Sequence, residues 1–478
     1  MTAFLDTNVV LYTMFAIVVI MFLFLLFIVI FWRWIVKRIV QKTSHILLTD
    51  SYQENILELM PGLLHVGVKN VFENSLRSTT GNLIHRPLGS FKKWPNFESL
   101  TFIPAQTSPF AVSSDEEVDI SVTLGPKAKK PLELDLPLLI SGMGYGLALS
   151  EDARLALATA AKNVGTAINS GEGAVIQEEL EAAGKYILQF SKSKWAKDEK
   201  LLKSVDMIEI KLGQGALMSM GVTILPENLT GRAREEFGLD ADENAVIHEH
   251  FFENQTLNDL KDLVSELRQL TGGVPIGAKI GAGGRIEEDI DHLLEMGVDV
   301  IAIDGGQAAT LGAPPILSDD FGIPTLHALV RAVHHLEQVK KREDVSLIIS
   351  GGLVNPGHFL KALALGADAV YLGSAMLFAV THGQSIKALP FEPPTQVVWN
   401  EGKFRNQFSL EQGVKSAENF LLSCAEEMKT ALRAMGKNSL KQLSKDDLVS
   451  YDPLIAEAVG VPYSFQPMKK KKKQKGEI

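Results

Sequence analysis

The sequence predicts a (β/α)8 barrel carried behind an apolar helix, and three observations predict it. Apolar runs of strand length start near Leu138, Thr166, Met207, Ala245, Val274, Asp299, Ser346 and Ala369, with helical patterns between most of them. That alternation, sustained over about 240 residues, favours a closed parallel barrel over a doubly wound sheet. The last two runs stop at glycine: Leu347-Ile348-Ile349-Ser350 at Gly351-Gly352, and Ala369-Val370-Tyr371-Leu372 at Gly373-Ser374. Glycines placed so let the main chain approach an anion, because a Cβ would fill the space that phosphate oxygens need. The strand ends, where a barrel collects its chemistry, are also polar and glycine-rich in turn.

Taken in order, the chain divides at 1–8, 9–32, 33–136, 137–385, 386–463 and 464–478. From Val9 to Trp32 there is no charged residue, and about 24 residues at ~1.5 Å each cross a hydrocarbon core of ~30 Å. The first eight residues hold no Lys or Arg and no small-residue cleavage site follows, so a retained anchor is expected rather than a cleaved signal. Arg33, Lys37, Arg38 and Lys42 follow directly, against Asp6 alone before it. The positive-inside rule then gives a single pass through the cell membrane, with residues 1–8 extracytoplasmic and the large domain cytoplasmic.

Residues 33–60 read as a juxtamembrane helix ended by Pro61-Gly62, and 61–136 as an irregular cap punctuated by seven prolines between Pro87 and Pro137. Within the barrel, Glu151 to Ala161 reads as a helix N-capped by Ser150, and Asn258 to Leu270 as one stopping at Gly272-Gly273. The C-terminal extension carries further helical patterns, and Cys424 sits in one of them as a packed thiol. Lys469 through Lys473, with Lys475, form a basic tail expected to be disordered, and able to touch anionic lipid headgroups.

A net charge of −10 argues against a nucleic-acid partner, and one cysteine rules out an internal disulfide or a cluster held by this chain's cysteines alone. His248 and His250 straddle Glu249, and His334-His335 lie on a helix, but neither pair has a third ligand at a convincing spacing, so no metal site is expected.

At the predicted strand ends stand Ser141-Gly142-Met143-Gly144-Tyr145-Gly146, then Asn169-Ser170-Gly171-Glu172-Gly173, then Lys211-Leu212-Gly213-Gln214-Gly215, then Lys279, and then Asp304-Gly305-Gly306. The first loop would let a flat ring lie against backbone. Lys211 and Lys279 fall inside apolar strands, where an unpaired ammonium is costly. Each therefore needs an internal carboxylate such as Glu172, Glu209 or Asp304, or else an electron-rich ligand or acidic substrate.

These motifs, in this order, resemble the FMN-binding synthase domain of glutamate synthase, and most closely its stand-alone relatives, over roughly residues 85–385. The resemblance implies FMN, with its phosphate on Gly305-Gly306, Gly351-Gly352 and Gly373-Ser374. The ring would lie over Ser141, Gly142 and Met143, near Asn169, Ser170, Gln214, Lys279 and Asp304. It also implies reduction of 2-iminoglutarate, formed from 2-oxoglutarate and ammonia. Lys279 would stabilise the reduced ring, Lys211 would hold the substrate carboxylate, Glu172 would handle a proton or orient, and Gln214 would join them.

The chain departs from that pattern in four places. Thr381-His382-Gly383-Gln384-Ser385 stands where the family has three cluster-binding cysteines, and an apolar anchor stands where a glutaminase domain is expected. Leu217-Met218-Ser219 replaces Lys-Pro-Gly, and Val354 replaces an arginine. The last two changes remove cations expected near a dicarboxylate.

The reading is a membrane-anchored FMN oxidoreductase acting on a small acidic 2-oxo or 2-imino acid. Its reductant would come from a separate protein, a nicotinamide or membrane quinones. An alternative is a catalytically degraded flavin scaffold in a membrane complex. A barrel of the inosine monophosphate dehydrogenase kind would need a cysteine that Gln307-Ala308-Ala309-Thr310 does not offer.

Overall fold

The computed structural model describes residues 7–310 and 312–467. Asp6, Lys469 through Lys473 and Lys475 lie outside the described residues. Contacts divide the chain into Met1–Ile84 and His85–Ile478.

In the first unit one helix runs unbroken over Thr7–Thr49, so the expected span and juxtamembrane helix are a single rod. It stops at Thr49, not at Pro61-Gly62. Asn55 donates its side-chain amide to the carbonyls of Ile46 and Leu47, at 3.1 and 2.9 Å, and so satisfies the open C-terminus. Pro61 instead falls in the first turn of the helix Leu59–Val66, where a missing N–H costs nothing. A further helix, Val68–Thr80, occupies sequence expected to be irregular.

The second unit is built on eight parallel strands closed into a barrel. They are β1 (Leu138–Ile140), β2 (Ala167–Asn169), β3 (Lys185–Phe190), β4 (Met207–Lys211), β5 (Ile276–Gly281), β6 (Val300–Asp304), β7 (Ser346–Ser350) and β8 (Ala369–Leu372). Their near-continuous Val, Ile and Leu runs suit strands buried on both faces.

One predicted strand was misplaced. Ala245–Ile247 is no barrel strand but pairs antiparallel with Val222–Ile224 in a hairpin beyond β4. The true third strand, Lys185–Phe190, hides because the helices on either side, Gln177–Ala182 and Glu199–Ser204, are only six residues each. Helical periodicity cannot show over so short a run.

The cap works at both ends of the barrel. Its hairpin Val122–Leu124 with Leu132–Leu134 puts Leu124, Leu132 and Leu134 into the barrel's interior cluster, with Leu139, Met207 and Tyr371. Its earlier part, residues 86–96, sits over the opposite mouth. Arg86 pairs with Asp319 at 2.8 Å, and Gln307 donates to the Pro95 carbonyl at 3.1 Å. The cap strand Leu100–Phe102 pairs with Leu448–Ser450 of the C-terminal extension.

The helix Glu151–Asn163 starts after Ser150 as expected, yet the Ser150 hydroxyl is buried without a partner and makes no cap bond. The helix Leu257–Leu270 carries a Thr256–Asp259 capping box and buries Leu260, Leu263, Val264 and Leu267.

Candidate functional site

The barrel's C-terminal mouth opens into a cavity of about 840 Å³, within the range of sites that enclose a cofactor-sized molecule. Beneath it lies a buried polar layer. Glu209 of β4 accepts from Asn169 of β2 at 2.8 Å, from Gln189 of β3 at 2.7 Å and from the Tyr371 hydroxyl of β8 at 2.8 Å. One carboxylate thus ties four strands together, with its oxygens satisfied.

Lys279 lies directly above this layer. Its ammonium is 3.1 Å from Asp304 and 5.4 Å from the centroid of the Tyr371 ring. Burial works against its charge, but Asp304 and Glu209 outweigh burial and hold it above the usual lysine value. Asp304 also accepts from the Ser350 hydroxyl and from the Gly215 amide, the latter at 3.1 Å, which fixes the loop carrying Gln214. Lys211 is ion-paired with Glu172, and there burial prevails and lowers its value.

The glycines of the first two loops serve a purpose that the sequence did not show. A Cβ on Gly144 would stand 2.4 Å from the Gly173 nitrogen, and one on Gly171 2.5 Å from the Gly144 nitrogen. The loops after β1 and β2 cross backbone against backbone, and only glycine permits it. Arg154, fully buried with Glu179, clamps the crossing by donating to the carbonyls of Met143 and Asn169 at 2.9 and 3.0 Å. At the other end Gly351 and Gly352 adopt φ of 114° and 71°, and Gly373 has only the Ser141 Cβ near the space its own Cβ would take, at 3.9 Å.

Of the sequence-derived residues, Ser141, Gly142, Met143, Glu172, Gln214 and Lys279 line the cavity, as do Asp304, Gly351, Gly352, Gly373 and Ser374. Five others do not. Asn169 and Ser170 are buried in the wall, where the Ser170 hydroxyl accepts from the Gln189 amide at 2.8 Å. The Gly305 and Gly306 amides are already bonded to the Ser350 and Ile323 carbonyls, at 2.9 and 2.7 Å, so they are not open to a phosphate. Lys211 stands behind Glu172.

The sequence reading missed Gln189, Tyr371 and Trp399, the cap residues Lys92, Lys93 and Trp94, and the hairpin residues Val222, Ile224 and Ile247, all of which line the cavity. Gln189 carried a readable signal, a polar residue inside an apolar strand, as Lys211 and Lys279 did. No group of three or more His, Cys, Asp or Glu placed to hold a metal occurs among the described residues.

A family described as a conserved region in glutamate synthase matches residues 85–438. A glutamate synthase large subunit-like protein of Rhizobium meliloti is 30% identical over 406 residues, covering 80% of this chain and 91% of that protein. An archaeal-type glutamate synthase [NADPH] of Dehalococcoides mccartyi is 29% identical over 398 residues, covering 79% and 78%. Among solved structures, a flavocytochrome b2 mutant with pyruvate bound aligns at 20% identity over 74% of this chain and 76% of that one, with a TM-score of 0.46.

Proposed function

The chain belongs to the glutamate synthase family, as an FMN-dependent oxidoreductase, and from that premise we propose that it is a membrane-anchored enzyme reducing a 2-imino or 2-oxo acid. FMN is the cofactor, and the residues present suit it. A buried cation faces the cavity at one end, and an open diglycine and Gly-Ser pair stand at the other. Bound FMN supplies hydride transfer.

Each cavity residue then has a task of its own. Lys279, kept charged by Asp304, sets a positive potential where negative charge would develop on the ring. Gly351, Gly352, Gly373 and Ser374 hold the phosphate, while Ser141, Gly142 and Met143 support the ring. Gln214 and Gln189 offer amides to polar edges. Glu172 presents its carboxylate to the substrate's nitrogen and handles its proton, with Lys211 acting on the substrate through Glu172. The observation that carries this reading is Lys279, buried, paired with Asp304 and lining the cavity.

One helix, Asn8–Thr49, is long and apolar enough to cross a membrane. With Arg33, Lys37, Arg38 and Lys42 after it, it supports a single pass with the barrel cytoplasmic. NADPH is named for the archaeal-type relatives, and here a separate electron-donor protein or a nicotinamide is the proposed source of electrons.

The test begins with full-length protein purified in mild detergent and mass spectrometry of its cofactor. Anaerobic reoxidation of the reduced protein by 2-oxo acids with ammonia follows. Turnover supports the enzyme, whereas stoichiometric FMN without any turnover points to a flavin scaffold.

A further inference from the structure

Four apolar side chains make up the side of the cavity beneath the hairpin. Val222 and Ile224 line it, while Thr223 between them is exposed. Ile247, the cross-strand partner of Val222, and Leu217, from the loop after β4, line it too. Ile224 and Ile247 are backed by a small cluster that includes Trp195 and Phe237. Leu217 and Val222 belong to no hydrophobic cluster among the described residues and are only partly buried. Such side chains gain by burying apolar surface against a ligand.

The two cations beside this wall, Lys211 and Lys192, are already matched. Lys211 pairs with Glu172, and Lys192 donates to the Leu212 carbonyl at 2.9 Å while it feels Glu172 and Glu249. A second substrate carboxylate against this wall would lose its water beside the Glu172 carboxylate.

We propose that this wall is the side-chain subsite, and that the substrate is a 2-oxo acid, or its imine with ammonia, whose side chain is apolar and uncharged. The proposal rests on the FMN oxidoreductase reading. In the reaction a hydride from the reduced cofactor forms the C2–H bond and the C=N π pair moves to nitrogen, which takes up a proton. The cofactor is oxidised by two electrons, and the product is an apolar amino acid.

The test uses full-length holoenzyme and the perturbation of its flavin absorbance by 4-methyl-2-oxopentanoate, pyruvate and 2-oxoglutarate. At about fourfold per buried methylene, the branched acid is expected to bind about 50-fold tighter than pyruvate, and 2-oxoglutarate no tighter than pyruvate. Reoxidation of the reduced enzyme with ammonium should follow the same order. Ile224→Arg should invert it in favour of 2-oxoglutarate. Val222→Ala, a gentler change, should lose several-fold more affinity for the branched acid than for pyruvate. Tightest binding of 2-oxoglutarate by the unaltered protein overturns the proposal, as does bound FMN that none of these acids perturbs. Protein devoid of FMN sinks the underlying reading as well, and that outcome is told apart by its lack of flavin absorbance.

Discussion

Lys211 and Lys279 are direct cross-strand partners where β4 pairs with β5 in the barrel. Like charges in that register repel, and each is met by its own carboxylate, Glu172 for one and Asp304 for the other. The two lysines are nonetheless shifted in opposite directions, Lys211 down and Lys279 up.

The shift on Lys211 carries a sign that can be tested. Its native value lies below 10.5, so just under that pH the unfolded chain binds the extra proton and stability rises with pH. As the pH rises toward 10.5, the unfolding free energy of the unaltered protein should climb relative to that of Lys211→Met. A flat difference between the two denaturation series would refute the assignment.

Removing the other cation should cost the cofactor. Lys279→Met is expected to weaken FMN binding about 10- to 100-fold, the worth of one hydrogen bond to a charged group. Lys211→Met, which leaves the cavity lining in place, should weaken it far less. Fluorescence titration of apoprotein with FMN distinguishes the two.

The Arg154–Glu179 pair is completely buried, and breaking such a pair strands a charge. Glu179→Ala should lose about 3–5 kcal/mol in urea denaturation. Arg154→Lys should fail to restore full stability, because one ammonium cannot reach Glu179 and both loop carbonyls together.

Glycine replacements should separate by position. Gly144→Ala forces a Cβ into the Gly173 nitrogen, and its product should express poorly or purify without flavin. Gly283→Ala has nothing within 4 Å of the added carbon and should change stability by no more than about 0.5 kcal/mol. Parallel thermal melts and absorbance spectra check both.

Burial, aided by Glu427, pushes the Cys424 thiol up to about 12. Native protein should therefore resist iodoacetamide at pH 8, and only urea should expose the thiol, as mass spectrometry of alkylated protein would record.

What the sequence disclosed was whatever repeats or stands out against its surroundings. Barrel strands ending in glycine, and lysines set in apolar runs, break a local pattern and can be read one residue at a time. The Lys185–Phe190 strand was lost because its flanking helices are too short to show a period. The reach of Trp94 and Trp399 into the cavity was lost because nothing local marks a distant contact. Gly144 and Gly171 meet a further demand that the sequence did not show, since each also faces the backbone of another loop.

The pairing of Leu100–Phe102 with Leu448–Ser450 has a consequence for how the chain is made. At roughly 5–20 residues per second, a ribosome needs about 20–70 s to travel from one strand to the other. Every barrel strand has emerged before the cap's edge meets its mate. Until the last residues of that second strand are synthesised, the cap is held only by its contacts with the barrel, and Leu100–Phe102 waits as an edge without its mate.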